Sequence, residues 1–122
     1  HDALPISLGC AQLENLDRYV ADKRETAARY VEFFKGKEDI TFFTEPADCK
    51  SNYWLNAVVL KDKAAQLDFL EYTNDHGVMT RPVWELMNRL PMFEHCETDG
   101  LENTEWLADR VVNIPSSVRL DK

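Results

Sequence analysis

The stretch His76-Gly77-Val78-Met79-Thr80-Arg81-Pro82-Val83-Trp84-Glu85-Leu86-Met87-Asn88-Arg89-Leu90-Pro91-Met92-Phe93 decides how this chain folds. His76 and Gly77 end a helix, because glycine reaches the left-handed backbone that a side chain resists. Val78 to Arg81 reads as a short strand. Pro82 to Phe93 reads as a rim loop with one helical turn, kept irregular by Pro82 and Pro91. Arg81, Trp84, Asn88 and Arg89 crowd into that rim. A guanidinium, an indole and an amide at one edge suit a ligand that carries phosphate and a sugar ring. The plainer alternative is a strand end packed on its neighbour, with Trp84 as core.

Upstream of this stretch, Asp62 caps a helix from Lys63 to about Asp75. Leu67, Leu70 and Tyr72 or Thr73 give it an inner face, which Phe69 widens. Asn52 to Leu60 is the clearest strand. Trp54, Asn56, Val58 and Leu60 alternate with Tyr53, Leu55, Ala57 and Val59, and apolar residues on both sides predict a central, covered strand. Asn56 would then be a polar residue in need of a partner. Strand, helix and strand in succession predict a parallel or crossover pairing with a right-handed connection. Ile40 to Thr44 is β-branched and aromatic and reads as another short strand, with turn chemistry in Glu45-Pro46-Ala47-Asp48.

Residues 8–35 read as one long helix. Leu13, Leu16, Val20, Ala27, Val31 and Phe34 share a face, and the charged residues opposite them are read as solvated. Gly36 ends it, with Lys35 in the last turn. Ser7 could cap its start, although Cys10 stands where a capping box needs an acid. On the C-terminal side, His95 to Gly100 is a polar connector. Glu102 to Val112 reads as a last helix docked by Trp106, Leu107, Arg110 and Val111. Pro115 closes it, and Ser116 and Ser117 lie in a plain loop. These elements define an α/β (α+β) fold: a small mixed sheet covered by helices, behind a long N-terminal helix.

Composition narrows the function classes. A chain of 122 residues buries one core. A net charge of −8 argues against a nucleic-acid binder and against an anionic membrane surface. Cys10, Cys49 and Cys96 are an odd, scattered set, which reads as reduced thiols in a cytoplasmic protein. His76, His95, Cys49 and Cys96 have no zinc-site spacing. No apolar run reaches transmembrane length, and no secretory signal pattern opens the chain. Phosphate-loop, dinucleotide, nucleophile-elbow and metalloprotease motifs are all missing. Residues 1–7 look foreign: His1-Asp2-Ala3-Leu4-Pro5-Ile6 can be encoded by the end of a common sequencing adapter. They are read as a scar and set aside. On these grounds the chain is an acidic α/β domain whose function the residues leave open, and a stand-alone binding or regulatory domain is one reading of it.

Five motifs narrow it further. They are Leu8-Gly9-Cys10-Ala11-Gln12-Leu13, Ser51-Asn52-Tyr53-Trp54-Leu55-Asn56, Gly77 to Trp84, Leu90-Pro91-Met92-Phe93 and Val112-Asn113-Ile114-Pro115-Ser116-Ser117. In this order and spacing the chain, from residue 8 to about 120, resembles the C-terminal part of the DegT-type nucleotide-sugar aminotransferases, and within them the branch making bacillosamine- and legionaminic-type 4-amino sugars. The resemblance implies the small domain of a fold-type I aminotransferase, over residues 37–122, with the helix of residues 8–36 leading out of a large domain that this chain lacks. It implies amino transfer from glutamate to a 4-keto nucleotide sugar, with pyridoxal 5′-phosphate bound by the missing domain, whose lysine would form the Schiff base. It also implies a cytoplasmic homodimer with no nucleic-acid or membrane partner. In this chain no residue would be catalytic, while Arg81, Trp84, Asn88, Asn52 and Tyr53 would serve the substrate. The family often carries histidine where this chain has Asn88. An amide there can hydrogen-bond a sugar but cannot titrate near neutral pH.

Overall fold

The computed structural model describes residues 3–119. Helix α1 spans Ala3–Glu14 and helix α2 spans Leu16–Phe34. The expected single helix is therefore interrupted once, at Asn15. The cause is local: Asn15 Nδ2 donates to the carbonyl of Ala11 at 2.9 Å, so a side-chain amide competes with the backbone ladder where the helix bends. Ser7 lies inside α1 and caps nothing. α1 also begins within the segment set aside as a scar, whose residues 1 and 2 fall outside the described residues.

Gly36 ends the second helix with a φ of 76°. Strand β1 (Ile40–Phe42) follows, then β2 (Asn56–Leu60), α3 (Lys63–Asp75), β3 (Arg81–Pro82), a 3-10 turn (Met87–Arg89), α4 (Glu102–Ala108) and β4 (Val111–Ile114). The described strands form one sheet in the order β1-β2-β4-β3, antiparallel at every pairing. The α+β class stands as expected, but the sheet is antiparallel rather than mixed. β2 and β3 do run in the same direction, yet β4 lies between them, so the β2–α3–β3 crossover is split and its strands never pair.

The final helix was expected to reach Val112, and the structure ends it at Ala108. Two forces decide this. Val111 and Val112 are β-branched and favour extended backbone. Gln66, fully buried on α3, donates Nε2 to the carbonyls of Ala108 and Val111 at 2.9 and 2.8 Å. That satisfies a helix-end acceptor and fixes the turn into β4. Val111 and Val112 then pair with Val59 and Val58 on β2.

Two other strands are shorter than expected. β3 was placed at Val78–Arg81 and occupies Arg81–Pro82. Gly77 takes a φ of 74°, and Val78 N returns to the carbonyl of Thr73 at 2.8 Å. Thr73 Oγ1 and buried Thr80 Oγ1 lie 2.6 Å apart, and Asn74 Nδ2 donates to Thr80 Oγ1 at 2.9 Å. Val78 to Thr80 are thus tied to the end of α3 and are not free to pair. β2 was expected to begin at Asn52 and begins at Asn56, because residues 51–55 form a side-chain-locked turn.

The core lies on one face of the sheet. Phe42, Val58, Leu60, Val112 and Ile114 meet Ala27 of α2, with Tyr30 and Phe34 of α2 and Ala65, Phe69 and Leu70 of α3 packed against them. Val58 and Val112 face each other at 0% exposure, each worth roughly 1.5–3 kcal/mol of burial. Asp62 caps α3 as expected, its Oδ1 accepting from Ala65 N at 2.8 Å. At the far end of the chain, Arg119 Nη2 meets Asp22 Oδ1 at 2.7 Å and binds the tail to α2. Asn56 is buried, and neither its amide nitrogen nor its amide oxygen finds a partner among the described residues.

Candidate functional site

The rim grows from the edge of the sheet. Arg81 opens β3 opposite Asn113 of β4, and Asn113 Nδ2 donates to the carbonyl of Pro82 at 3.5 Å. Arg81 is exposed, and among the described residues its guanidinium has no hydrogen-bond or ion-pair partner. The other rim arginine differs. Arg89 lies 3.8 Å from Glu85 and 3.7 Å from Glu105, which ties the 3-10 turn to α4.

Trp84 is not core. It is 74% exposed, and its ring centroid lies 6.4 Å from that of Trp54, itself 63% exposed, with the planes tilted by 31°. Such a separation is a true aromatic contact. Asn88, half-buried, points elsewhere: it lines a cleft of about 610 Å³ with Leu86, Met87, Phe93, Cys96 and Leu101. Arg81 and Trp84 do not line that cleft.

The remaining two residues expected at the site lie in the turn before β2, where the Asn52 amide oxygen and the Tyr53 hydroxyl are engaged by the backbone. Asn52 Oδ1 accepts from Trp54 N at 2.9 Å. The Tyr53 hydroxyl accepts from Glu45 N at 3.1 Å, and its ring lies beside Phe42 and under the Arg24 guanidinium. Both support the turn. The structure thus brings Trp84 to Trp54 and leaves Arg81 open on the same short segment. It sets Asn88 in a separate cleft, leaves Asn52 exposed in the turn and half-buries Tyr53 beneath it.

Under the turn sits an ion pair that sequence reasoning missed. Arg24 of α2 grips Glu45 with both nitrogens, at 2.6 and 2.9 Å, and also donates to the Ser51 carbonyl. Ser51 N donates to the same carboxylate. The Arg24 guanidinium first, and the Ser51 N–H second, hold the Glu45 carboxyl down to about 2, against an ordinary 4.5. Two forked donors on one carboxylate make a rigid joint. The available signal was weak: an arginine on the charged side of a helix and a glutamate in a turn.

The fold and rim define a small α+β domain with an open arginine and an exposed aromatic pair near its sheet edge. The chain belongs to the DegT/DnrJ/EryC1/StrS aminotransferase family, whose sequence model matches residues 2–122. It is 29% identical over 113 residues to EpsN of Bacillus subtilis (strain 168), provisionally described as a pyridoxal phosphate-dependent aminotransferase, covering 89% of this chain and 29% of that protein. It is 25% identical to a GDP-perosamine synthase of Vibrio cholerae, covering 90% of this chain and 30% of that protein. The aminotransferase TlmJ of Streptoalloteichus hindustanus shares the fold with a TM-score of 0.82 at 23% identity, over 91% of this chain and 30% of that one. The chain thus spans under a third of the length of these relatives.

The described residues do not by themselves fit pyridoxal phosphate. No lysine falls between Arg81 and Phe93. Lys23 Nζ donates to the carbonyls of Ser116 and Trp54, and Lys63 Nζ to Gln66. Lys61 lies beside Asp39. Gly36, Gly77 and Gly100 terminate or connect elements and form no phosphate-binding cluster. Among the described residues no group of three or more histidine, cysteine or acidic side chains could hold a metal, and no helix is long and apolar enough to cross a membrane.

Proposed function

We propose that this chain is the small C-terminal domain of an enzyme that moves an amino group from glutamate to a 4-keto nucleotide sugar, in the branch making bacillosamine- and legionaminic-type 4-amino sugars. Pyridoxal phosphate and its lysine belong, in this reading, to a large N-terminal domain outside this chain. The helix from residue 8 onward, with Leu8 and Leu13 exposed, leads out of that domain. The complete enzyme works as a cytoplasmic homodimer, and residues 1–7 are foreign to it. Family membership supports amino transfer to a sugar, and one relative's name carries a GDP-linked product. The observation that carries the substrate reading is Arg81: an exposed guanidinium without a partner among the described residues, three residues before an exposed indole.

A planar guanidinium offers paired donors to a phosphate or to sugar hydroxyls. Losing a charge-assisted hydrogen bond costs roughly 1.5–3 kcal/mol. In the complete enzyme, Arg81→Ala should therefore slow the nucleotide-sugar half-reaction by about one to two orders of magnitude. The glutamate half-reaction, which involves no nucleotide sugar, should hardly change. Stopped-flow measurement of each half-reaction decides it. Matched losses in the two, with a lower melting temperature, would return Arg81 to a structural role.

A further inference from the structure

Trp54 is the surface feature that the role of Arg81 leaves unexplained. It lies far from Trp84 in sequence, yet the two rings meet while most of each stays in solvent. The backbone beneath Trp54 is fixed on both sides. Asn52 Oδ1 accepts from its N–H at 2.9 Å, and Lys23 Nζ donates to its carbonyl at 3.4 Å. Tyr53 is held at a φ of 47°, a conformation that a large side chain resists, with its N–H on Ser51 Oγ and its hydroxyl on Glu45 N. Strain of this kind persists only where surrounding contacts over-determine it. Arg24 and Glu45 supply them. The fold spends several side chains on holding one indole outward, and a group fixed in advance loses little freedom when it binds.

We infer that Trp54, together with Trp84, forms a stacking wall for one ring of the nucleotide sugar, either the flat base or the C–H face of the hexose. The inference rests on the nucleotide-sugar reading proposed above. Charge argues for this occupant over an apolar protein surface. Arg81, close by in sequence to Trp84, meets no acid among the described residues, and a ring joined to phosphate uses both the indoles and the guanidinium. An apolar partner surface would bury that charge unpaired, which is costly. Indole faces accept rings with little demand on their identity.

The test uses the complete enzyme with UDP- and GDP-linked 4-keto sugars, and UDP and GDP as inhibitors. Trp54→Ala should raise KM for the sugar nucleotide roughly ten-fold, with kcat and the glutamate half-reaction unchanged. Trp54→Phe should restore most of the loss. If inhibition by the nucleoside diphosphate weakens by the same factor, the stacked ring is the base; if that inhibition is unchanged, it is the hexose. An unaltered KM in Trp54→Ala, beside an impaired Arg81→Ala, overturns the stacking wall and leaves the nucleotide-sugar reading standing. Equal losses in both half-reactions with a lower melting temperature also overturn it, by assigning Trp54 to packing. A complete enzyme that aminates no nucleotide sugar overturns both.

Discussion

Two arginines stand on the same rim, and their surroundings separate them. Arg89 is spent on Glu85 and Glu105, while Arg81 meets no acid among the described residues. The sequence places both near Trp84 on the rim, with Arg81 alone of the two read as serving the substrate, but cannot say where the acids of α4 will lie. Trp54 was hidden for a different reason. Alternation from Tyr53 to Leu60 looks like a continuous strand, and the turn chemistry of Ser51 and Asn52 overrides its first part. Two polar groups give predictions at this scale. The Glu45 carboxyl titrates at about 2 in the folded chain against an ordinary 4.5. A depressed value means that its stabilisation is fully present above 4.5 and is lost as pH falls through that window toward 2. Glu45→Gln should therefore melt below the wild type at neutral pH, and the two melting curves should converge at the acid end. A constant gap across the titration would refute the ion-pair account. Asn56 is the opposite case, an amide buried without partners. Asn56→Leu removes that desolvation penalty and should raise stability by about 1 kcal/mol, read by urea denaturation. A loss of stability would mean that the amide is satisfied by bound water.

At the level of elements, the places where sequence and structure part share a cause. Helix propensity extended through Asn15 and through Arg110, and each time one side-chain amide changed the outcome. Asn15 bonds backward to Ala11 and bends the helix; Gln66 takes two carbonyls and turns α4 into β4. Such tertiary bonds have no period, so spacing cannot reveal them. Capping was legible because it is local: Asp62, Gly36 and Gly77 all act as read. Gly77 carries the next prediction. A Cβ there would meet nothing within 4 Å, so the penalty for Gly77→Ala is purely that of the left-handed backbone. That is about 1–2 kcal/mol, measurable by thermal unfolding. A neutral result would show that the turn into Thr80 can relax.

On the scale of the whole molecule, one face of the sheet is well filled and much of the rest is bare. Leu4, Ile6, Leu8, Leu13, Phe43, Met79 and Met92 are all exposed. The α+β class was readable from the succession of elements, whereas the strand order was not, because it depends on where the last strand inserts. The exposed start of α1 yields a prediction on stability. Leu4 and Ile6 contribute little burial, so removing residues 1–7 should change unfolding free energy by no more than about 0.5 kcal/mol. A larger drop in a denaturant titration would mean that this turn of helix packs.

The strand order also dictates when the sheet can exist. β4 is the last strand of the described chain, yet it sits between β2 and β3. During synthesis β1 and β2 can join as soon as both have emerged, but β3 must wait with no neighbour. Everything from Arg81 through the rim therefore stays unanchored until Val111 to Ile114 leave the ribosome and slide into the gap. A chain cut before Val111 would hold the β1–β2 hairpin with helices attached, not a nearly finished sheet. Completion depends on contacts far apart along the chain, which close slowly, and the arginine and indole of the rim gain their geometry only at that final step.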